Sequence, residues 1–140
     1  MQDLTVFIAN HMALSYSFAG LLILLLFIEF FRAKRNKVRI NTAYAVQLIN
    51  RQHANVVDIR PEDSYRGGHI IDATCISANE LSQNQKKIER FKNKPLILVC
   101  GTGTDSQKIA ASLAKQGYNI YAIAGGMRAW SDAGLPLVKN

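Results

Sequence analysis

The segment Cys100-Gly101-Thr102-Gly103-Thr104-Asp105-Ser106 holds the residues of this 140-residue chain best suited by type and spacing to covalent chemistry. It follows the apolar run Pro95–Cys100, a continuous stretch that fits the centre of a parallel sheet. It precedes an amphipathic helix predicted from Ser106 to Gln116. In open parallel sheets, ligands bind beyond the carboxyl ends of the strands. A loop with two glycines at that place can curl until successive backbone N–H groups point at one centre. The first turn of the following helix adds unpaired donors and the positive end of its dipole. Cys100 is the residue placed to supply an anion to this cradle, since such surroundings favour the thiolate, the nucleophilic form of cysteine. The competing reading is a buried cysteine that merely ends a strand, because free Cys packs like a small hydrophobe. Asp105 is expected to be the N-cap of the helix that begins at Ser106.

The elements that must position this loop follow from the pattern on either side of it. Asn41 or Thr42 can cap a helix with Ala45, Val46, Leu48 and Ile49 at helical spacing. Asn55–Ile59 reads as a buried strand and Ala73–Ile76 as a weaker one. Leu81 to Phe91 is expected to form a polar helix with Leu81, Ile88 and Phe91 on one face. Beyond the Ser106 helix, Gly117 stands where a left-handed C-terminal cap belongs. Tyr118–Ala124 is expected to be another strand, and Met127–Ala133 a last short helix that stops before Gly134-Leu135-Pro136. Alternating strands and helices in about 100 residues predict an α/β sandwich with a mainly parallel central sheet.

The N-terminal part is of another kind. No Asp, Glu, Lys or Arg occurs between Asp3 and Glu29, and Leu21–Ile28 is apolar on every helical face. A stretch from Met12 to Phe31 has the length of about 20 residues that crosses a hydrocarbon core of roughly 30 Å. A core helix would show a polar face. A signal peptide would carry a basic region before the apolar run and small residues after it. Neither is present, so residues 12–31 are predicted to be a retained transmembrane helix. Arg32, Lys34, Arg35, Lys37 and Arg39 follow it, against no cation before it. The positive-inside rule then places a short tail, residues 1–11, outside and everything after Arg32 in the cytoplasm. The expected organisation is tail 1–11, span 12–31, basic linker 32–40 and folded domain 41–140.

Composition agrees once it is divided. The net charge of +7 falls as −2 in residues 1–31, +5 in 32–40 and +4 in 41–140. Much of the basicity is thus a topology signal, and nucleic acid is not an expected partner: no aromatic stacking motif accompanies the cations. The cluster can also attract anionic lipid headgroups. With 49% hydrophobic residues the chain is not a disordered one. Its two cysteines are too few for a disulfide-built scaffold.

Three motifs in order then resemble the rhodanese-like sulfurtransferase family. Cys100 to Asp105 is similar to that family's six-residue active-site loop, whose first residue is the sulfur-accepting cysteine. Asp58-Ile59-Arg60, Tyr65, Gly68-His69-Ile70 and Ala73 resemble its N-terminal signature, and Ala124-Gly125-Gly126 with Trp130 its glycine-pair motif. The resemblance covers Asn41 to Leu137, and the whole chain looks like small bacterial membrane-anchored proteins with a single such domain. It implies a three-layer sandwich and a sulfurtransferase. Cys100 would take sulfane sulfur from a donor as a persulfide, held by the loop of residues 101–106, and pass it to a thiol or protein acceptor. No metal or organic cofactor is implied. The implied location is the bacterial inner membrane. Where many family members carry a basic residue this chain has Gly101 and Asp105, and it has Ser64 and Asp72 where an acidic residue and a glycine are usual.

Two like charges about 6 Å apart at an effective dielectric near 20 repel by roughly 2–3 kcal/mol before screening. Asp105 is therefore expected to make dianionic thiosulfate a poor donor. A phosphatase of the same architecture would need an arginine at the sixth position after the cysteine, where this chain has Ser106. The other function class is a membrane-tethered interaction module of the same fold that binds an inner-membrane protein and has weak or no catalysis.

The remaining polar residues have structural readings. His69 is expected to hydrogen-bond backbone, Asp58 and Arg60 to hold loops together, and Tyr65 and Trp130 to fill the core. Cys75 is expected to be buried and reduced. His11 and His53 have no ligand spacing, so no metal site is expected.

Overall fold

A computed structural model describes residues 2–140 and the side chains of all of these but 34–36, so two of the cations that follow the apolar segment, Lys34 and Arg35, lie outside the described side chains. The chain divides into two compact units with the boundary between Asn36 and Lys37.

The first unit is helical. Helix α1 (Gln2–Asn10) occupies what the sequence reads as a tail, and α2 (Met12–Asn36) follows. Within α2, Met12–Ala33 is long and apolar enough to cross a membrane, and none of its side chains is buried. At about 1.5 Å per residue, 22 residues extend roughly 33 Å. Exposed Leu, Ile and Phe on all sides of this helix fit a lipid-facing segment.

The second unit is built on five parallel strands: β1 (Arg39–Ile40), β2 (Asn55–Asp58), β3 (Thr74–Cys75), β4 (Leu96–Val99) and β5 (Ile120–Ile123), in the order β1-β5-β4-β2-β3. Every residue of β4 is buried, as a strand covered on both faces must be. Leu96, Leu98, Val57, Ile120 and Ala122 face a core closed by Leu81, Ile88, Ala110 and Leu113. Ile97, Val99, Val56 and Ile123 face a second core closed by Ala45, Leu48, Met127 and Trp130. The covering elements are α5 (Ala78–Gln83) and α6 (Thr104–Lys115) on one side, α3 (Thr42–Gln52) and α7 (Gly126–Asp132) on the other. The result is the expected three-layer α/β sandwich. A five-residue helix α4 (Glu62–Arg66) sits after β2.

The structure differs from the sequence expectation in several places. The polar segment 81–91 is not one helix: α5 ends at Gln83 and a 3-10 turn runs from Gln85 to Phe91. Asn84 makes the break, with φ −142° and its side-chain oxygen accepting the Lys86 N–H. Leu81 and Ile88 are still buried in one core and Phe91 packs against it, so the apolar spacing was real and the helical continuity was not. Upstream, Ser77 and Glu80 form a capping box that starts α5. The linker residues Arg39 and Ile40 are also part of the sheet, as one of its two edge strands.

The third difference concerns Asp105. Helix α6 starts two residues earlier than predicted, with Gly103 as N-cap and no side-chain cap. Asp105 lies in its first turn and is exposed. Gly103, at φ +90°, turns the chain early enough for Thr104 to be helical.

Asp72 adopts φ +62°, the left-handed region in which a side chain costs about 1 kcal/mol relative to glycine. Asp72→Gly is expected to raise the unfolding midpoint by about 4–8 °C for a domain of this size. Thermal unfolding followed by Trp130 fluorescence checks this, and an unchanged or lower midpoint would count against it.

Candidate active site

Cys100 directly follows β4, and its side chain is 6% exposed on the core side lined by Leu98 and Ala110. The backbone then curls so that the Gly103 N–H donates to Cys100 Sγ at 3.0 Å. The thiol donates to Ser106 Oγ at 3.3 Å, and that hydroxyl donates to the Gly103 carbonyl at 3.2 Å. Ser106 is fully buried. One amide and one hydroxyl thus meet the sulfur from the protein side, with no basic side chain involved. Gly101, Thr102, Thr104 and Asp105 stand on the exposed rim of the loop.

The loop is held from behind by the start of α7. Met127 N–H donates to the Cys100 carbonyl at 2.8 Å and Arg128 N–H to the Gly101 carbonyl at 3.1 Å. This close approach explains the glycine pair. A Cβ on Gly126 would stand 2.2 Å from the Cys100 carbonyl oxygen and 2.7 Å from the Gly103 nitrogen. Gly101 faces open space, with no atom within 4 Å of where a Cβ would be.

The N-terminal motif builds a bracket away from the sulfur. Asp58 is fully buried at the end of β2 and receives Arg60 in a bidentate pair, with the shortest N–O distance 2.7 Å. Arg60 also donates to the Gly68 carbonyl at 2.7 Å, tying β2 to the loop after α4. His69 is 4% exposed; its Nδ1 lies 2.9 Å from the Tyr65 carbonyl and its ring stacks on Tyr65. The Tyr65 hydroxyl donates to the Ala73 carbonyl at 2.6 Å. Trp130 is buried in the core between α7 and the sheet and donates its indole N–H to the Pro136 carbonyl.

The model of the rhodanese-like domain family matches residues 41–133. This chain belongs to the rhodanese-like family. Over its whole length it is 34% identical to the uncharacterized protein YibN of Escherichia coli (strain K12), 99% of which is covered. It is 32% identical over 87 residues to the thiosulfate sulfurtransferase GlpE of Coxiella burnetii, matching 61% of this chain and 79% of that one. A rhodanese-related protein from Thermoplasma volcanium superimposes with a TM-score of 0.66 at 27% identity, over 73% of this chain and 98% of the other.

As a rhodanese-like domain, the chain carries its loop cysteine at the carboxyl edge of the sheet, and the loop and the glycine pair are brought together. Asp58, Arg60, Gly68 and His69 form a structural bracket instead of joining the sulfur. The tail had no signal in the sequence: His69 and Val138 exchange backbone hydrogen bonds at 2.9 Å. Ser106, expected in the loop that would hold the persulfide, is a direct hydrogen-bond partner of the Cys100 sulfur.

Cys75 is half-buried, contrary to the buried expectation, because β3 is an edge strand of two residues. It pairs in register with Asp58, which in turn pairs with Val99. Residues in register share a face, so Cys75 and Cys100 point to opposite faces of the sheet. Burial pushes the Cys75 thiol pKa up, helped by the carboxylates of Asp58, Glu62 and Glu80 and opposed by Arg60. In a Cys100→Ser chain, alkylation of Cys75 by iodoacetamide is expected to lag a free cysteine at mildly alkaline pH and to catch up only as the pH rises further. A rate equal to that of free cysteine at every pH would contradict this.

Proposed function

We propose that this protein is a membrane-anchored sulfurtransferase that carries sulfane sulfur on Cys100 and delivers it to a thiophilic acceptor. The single observation behind the reading is the sulfur's setting: Cys100 Sγ receives the Gly103 N–H and lies within reach of the Ser106 hydroxyl. Family membership and the likeness to a thiosulfate sulfurtransferase add support.

The steps follow from these atoms. The Cys100 thiolate attacks the outer sulfur of a donor such as thiosulfate; the new S–S bond forms as the donor's own S–S bond breaks, and sulfite leaves with the electron pair. When the thiol ionises, the Ser106 hydroxyl can turn from accepting to donating, so the thiolate gains a second donor beside Gly103 N–H. Helix α6 begins directly behind the loop, so its first-turn amides, which lack intrahelical acceptors, and the positive end of its dipole add to the support for an anion there. A thiolate or cyanide then attacks the outer sulfur and Cys100 is released as thiolate. Such double displacement gives ping-pong kinetics.

The anchor reading rests on the apolar Met12–Ala33 segment, and the cations after it favour a cytoplasmic domain with the N-terminus outside the inner membrane. Intact mass spectrometry after incubation with sulfane donors tests the chemistry. The parent is expected to gain the mass of one sulfur atom and Cys100→Ser none. No gain with any donor would leave the interaction-module reading in its place.

Donor choice is a separate prediction. Asp105 is exposed in the first turn of α6, where it favours the helix but opposes an incoming anion. Exposure weakens the repulsion by screening. Asp105→Ser is expected to raise kcat/KM for thiosulfate about tenfold, equivalent to about 1.4 kcal/mol, with a smaller change for a neutral persulfide donor. No gain with thiosulfate would sink the electrostatic argument.

A further inference from the structure

Lys37 opens the folded unit, and β1 runs parallel to its neighbour, as do all paired strands of the sheet. The entry point therefore lies at the amino edge of the sheet, opposite the edge that carries Cys100. Exposed cations collect at this amino edge. Arg51 is in the last turn of α3, shortly before β2; Arg90, Lys92 and Lys94 come just before β4; Lys115 ends α6, shortly before β5. Among the described residues, none of these groups forms a salt bridge with a carboxylate. Arg90 lies over the Phe91 ring at 4.6 Å and Lys92 over the Tyr118 ring at 5.3 Å, contacts that hold both cations at the edge.

A cleft of about 530 Å³ opens beside Arg90 and Lys94, between the starts of β2 and β3 and the segment before β4. Its lining is Asn55, Thr74, Arg90, Phe91, Asn93 and Lys94: two cations, three neutral hydrogen-bonding side chains and one apolar ring. That set suits a phosphate with an apolar neighbour. The carboxyl edge is mixed in sign: Arg66 pairs with Glu62 and Lys87 with Glu80, and exposed Arg128 beside the loop accompanies Asp105.

We propose that the amino edge is an electrostatic seat for anionic lipid headgroups, with their phosphates entering the cleft between Arg90 and Lys94. The inference rests on the anchored reading, which supplies the lipid. A span ending at Ala33 leaves four residue steps to Lys37, a reach of at most about 14 Å, so the bilayer surface is the nearest polyanion. Seated this way, the domain turns its Cys100 loop to the aqueous side, where a protein acceptor can approach.

The test uses the full chain in nanodiscs of phosphatidylcholine alone or mixed with phosphatidylglycerol, with amide hydrogen exchange read by mass spectrometry. Exchange in residues 90–95 and 115–119 is expected to slow in the anionic discs only, and the slowing to vanish at high salt. Substituting Arg90→Gln, Lys92→Gln and Lys94→Gln is expected to lower the docked-to-free ratio by about fivefold per charge removed. Sulfur uptake by Cys100 should be unchanged in that variant. Equal exchange in the two kinds of disc overturns the inference. Protection in neutral discs by a short RNA or by inorganic phosphate, and none from anionic lipid, overturns it as well. A chain that fails to enter either disc overturns the anchored reading and this inference together, whereas entry with equal exchange overturns this inference alone.

Discussion

Gly126→Ala is expected to abolish sulfur uptake by Cys100 and to destabilise the domain by about 2–5 kcal/mol, the sum of a left-handed side chain and an overpacked contact. Gly126 sits at φ +58°, and its added Cβ would lie 2.2 Å from the Cys100 carbonyl oxygen, 2.7 Å from the Gly103 nitrogen and 2.9 Å from the Gly101 carbonyl carbon. All three atoms are backbone, so no side chain can rotate away. Relief requires the loop to leave α7, breaking the bonds from Met127 and Arg128 that fix its carbonyls. The Gly103 N–H then loses its aim at the sulfur. Gly101→Ala is the matched control, since nothing stands within 4 Å of its Cβ. Thermal unfolding and intact mass after donor treatment measure both effects, and a Gly126→Ala chain that loads sulfur at the parent rate would falsify the interlock.

The second large effect is expected at Arg60. Arg60→Met should cost about 3–5 kcal/mol, because it leaves the Asp58 carboxylate fully buried without its partner. The loss also frees the Gly68 carbonyl from its 2.7 Å bond. Adding Asp58→Asn to Arg60→Met is expected to recover part of the stability, since the uncompensated charge disappears. Chemical denaturation of the single and double variants decides it. If the double variant is less stable than Arg60→Met by the full cost of a second independent lesion, the pair is not the unit described.

Burial explains what was legible in the sequence. Strands β2, β4 and β5 and helices α3, α6 and α7 were readable because each presents apolar residues to a core, at strand or helix spacing. The Cys100 loop was readable because a cysteine, two glycines and a helix start stand together after the central strand. Strand β1 was not, since two residues cannot show a period and Arg39 and Ile40 are set among cations. Helix α4 buries no residue and so left no apolar trace. Asn84 broke the 81–91 segment through a side-chain bond that periodicity does not register. The early start of α6 depended on the backbone angle of Gly103, and the half-exposure of Cys75 on its place at a sheet edge, which is a property of topology.

The bonds from α7 to the loop also set an order in time. During synthesis Cys100 emerges well before Met127 and Arg128, whose N–H groups hold the carbonyls of Cys100 and Gly101. A chain grown only to Ile123 has Cys100 and all five strands of the sheet complete, but nothing behind the loop to shape it. On the proposed function, the thiol gains its setting only when the C-terminal helix docks, and sulfur loading would report that the domain has been finished.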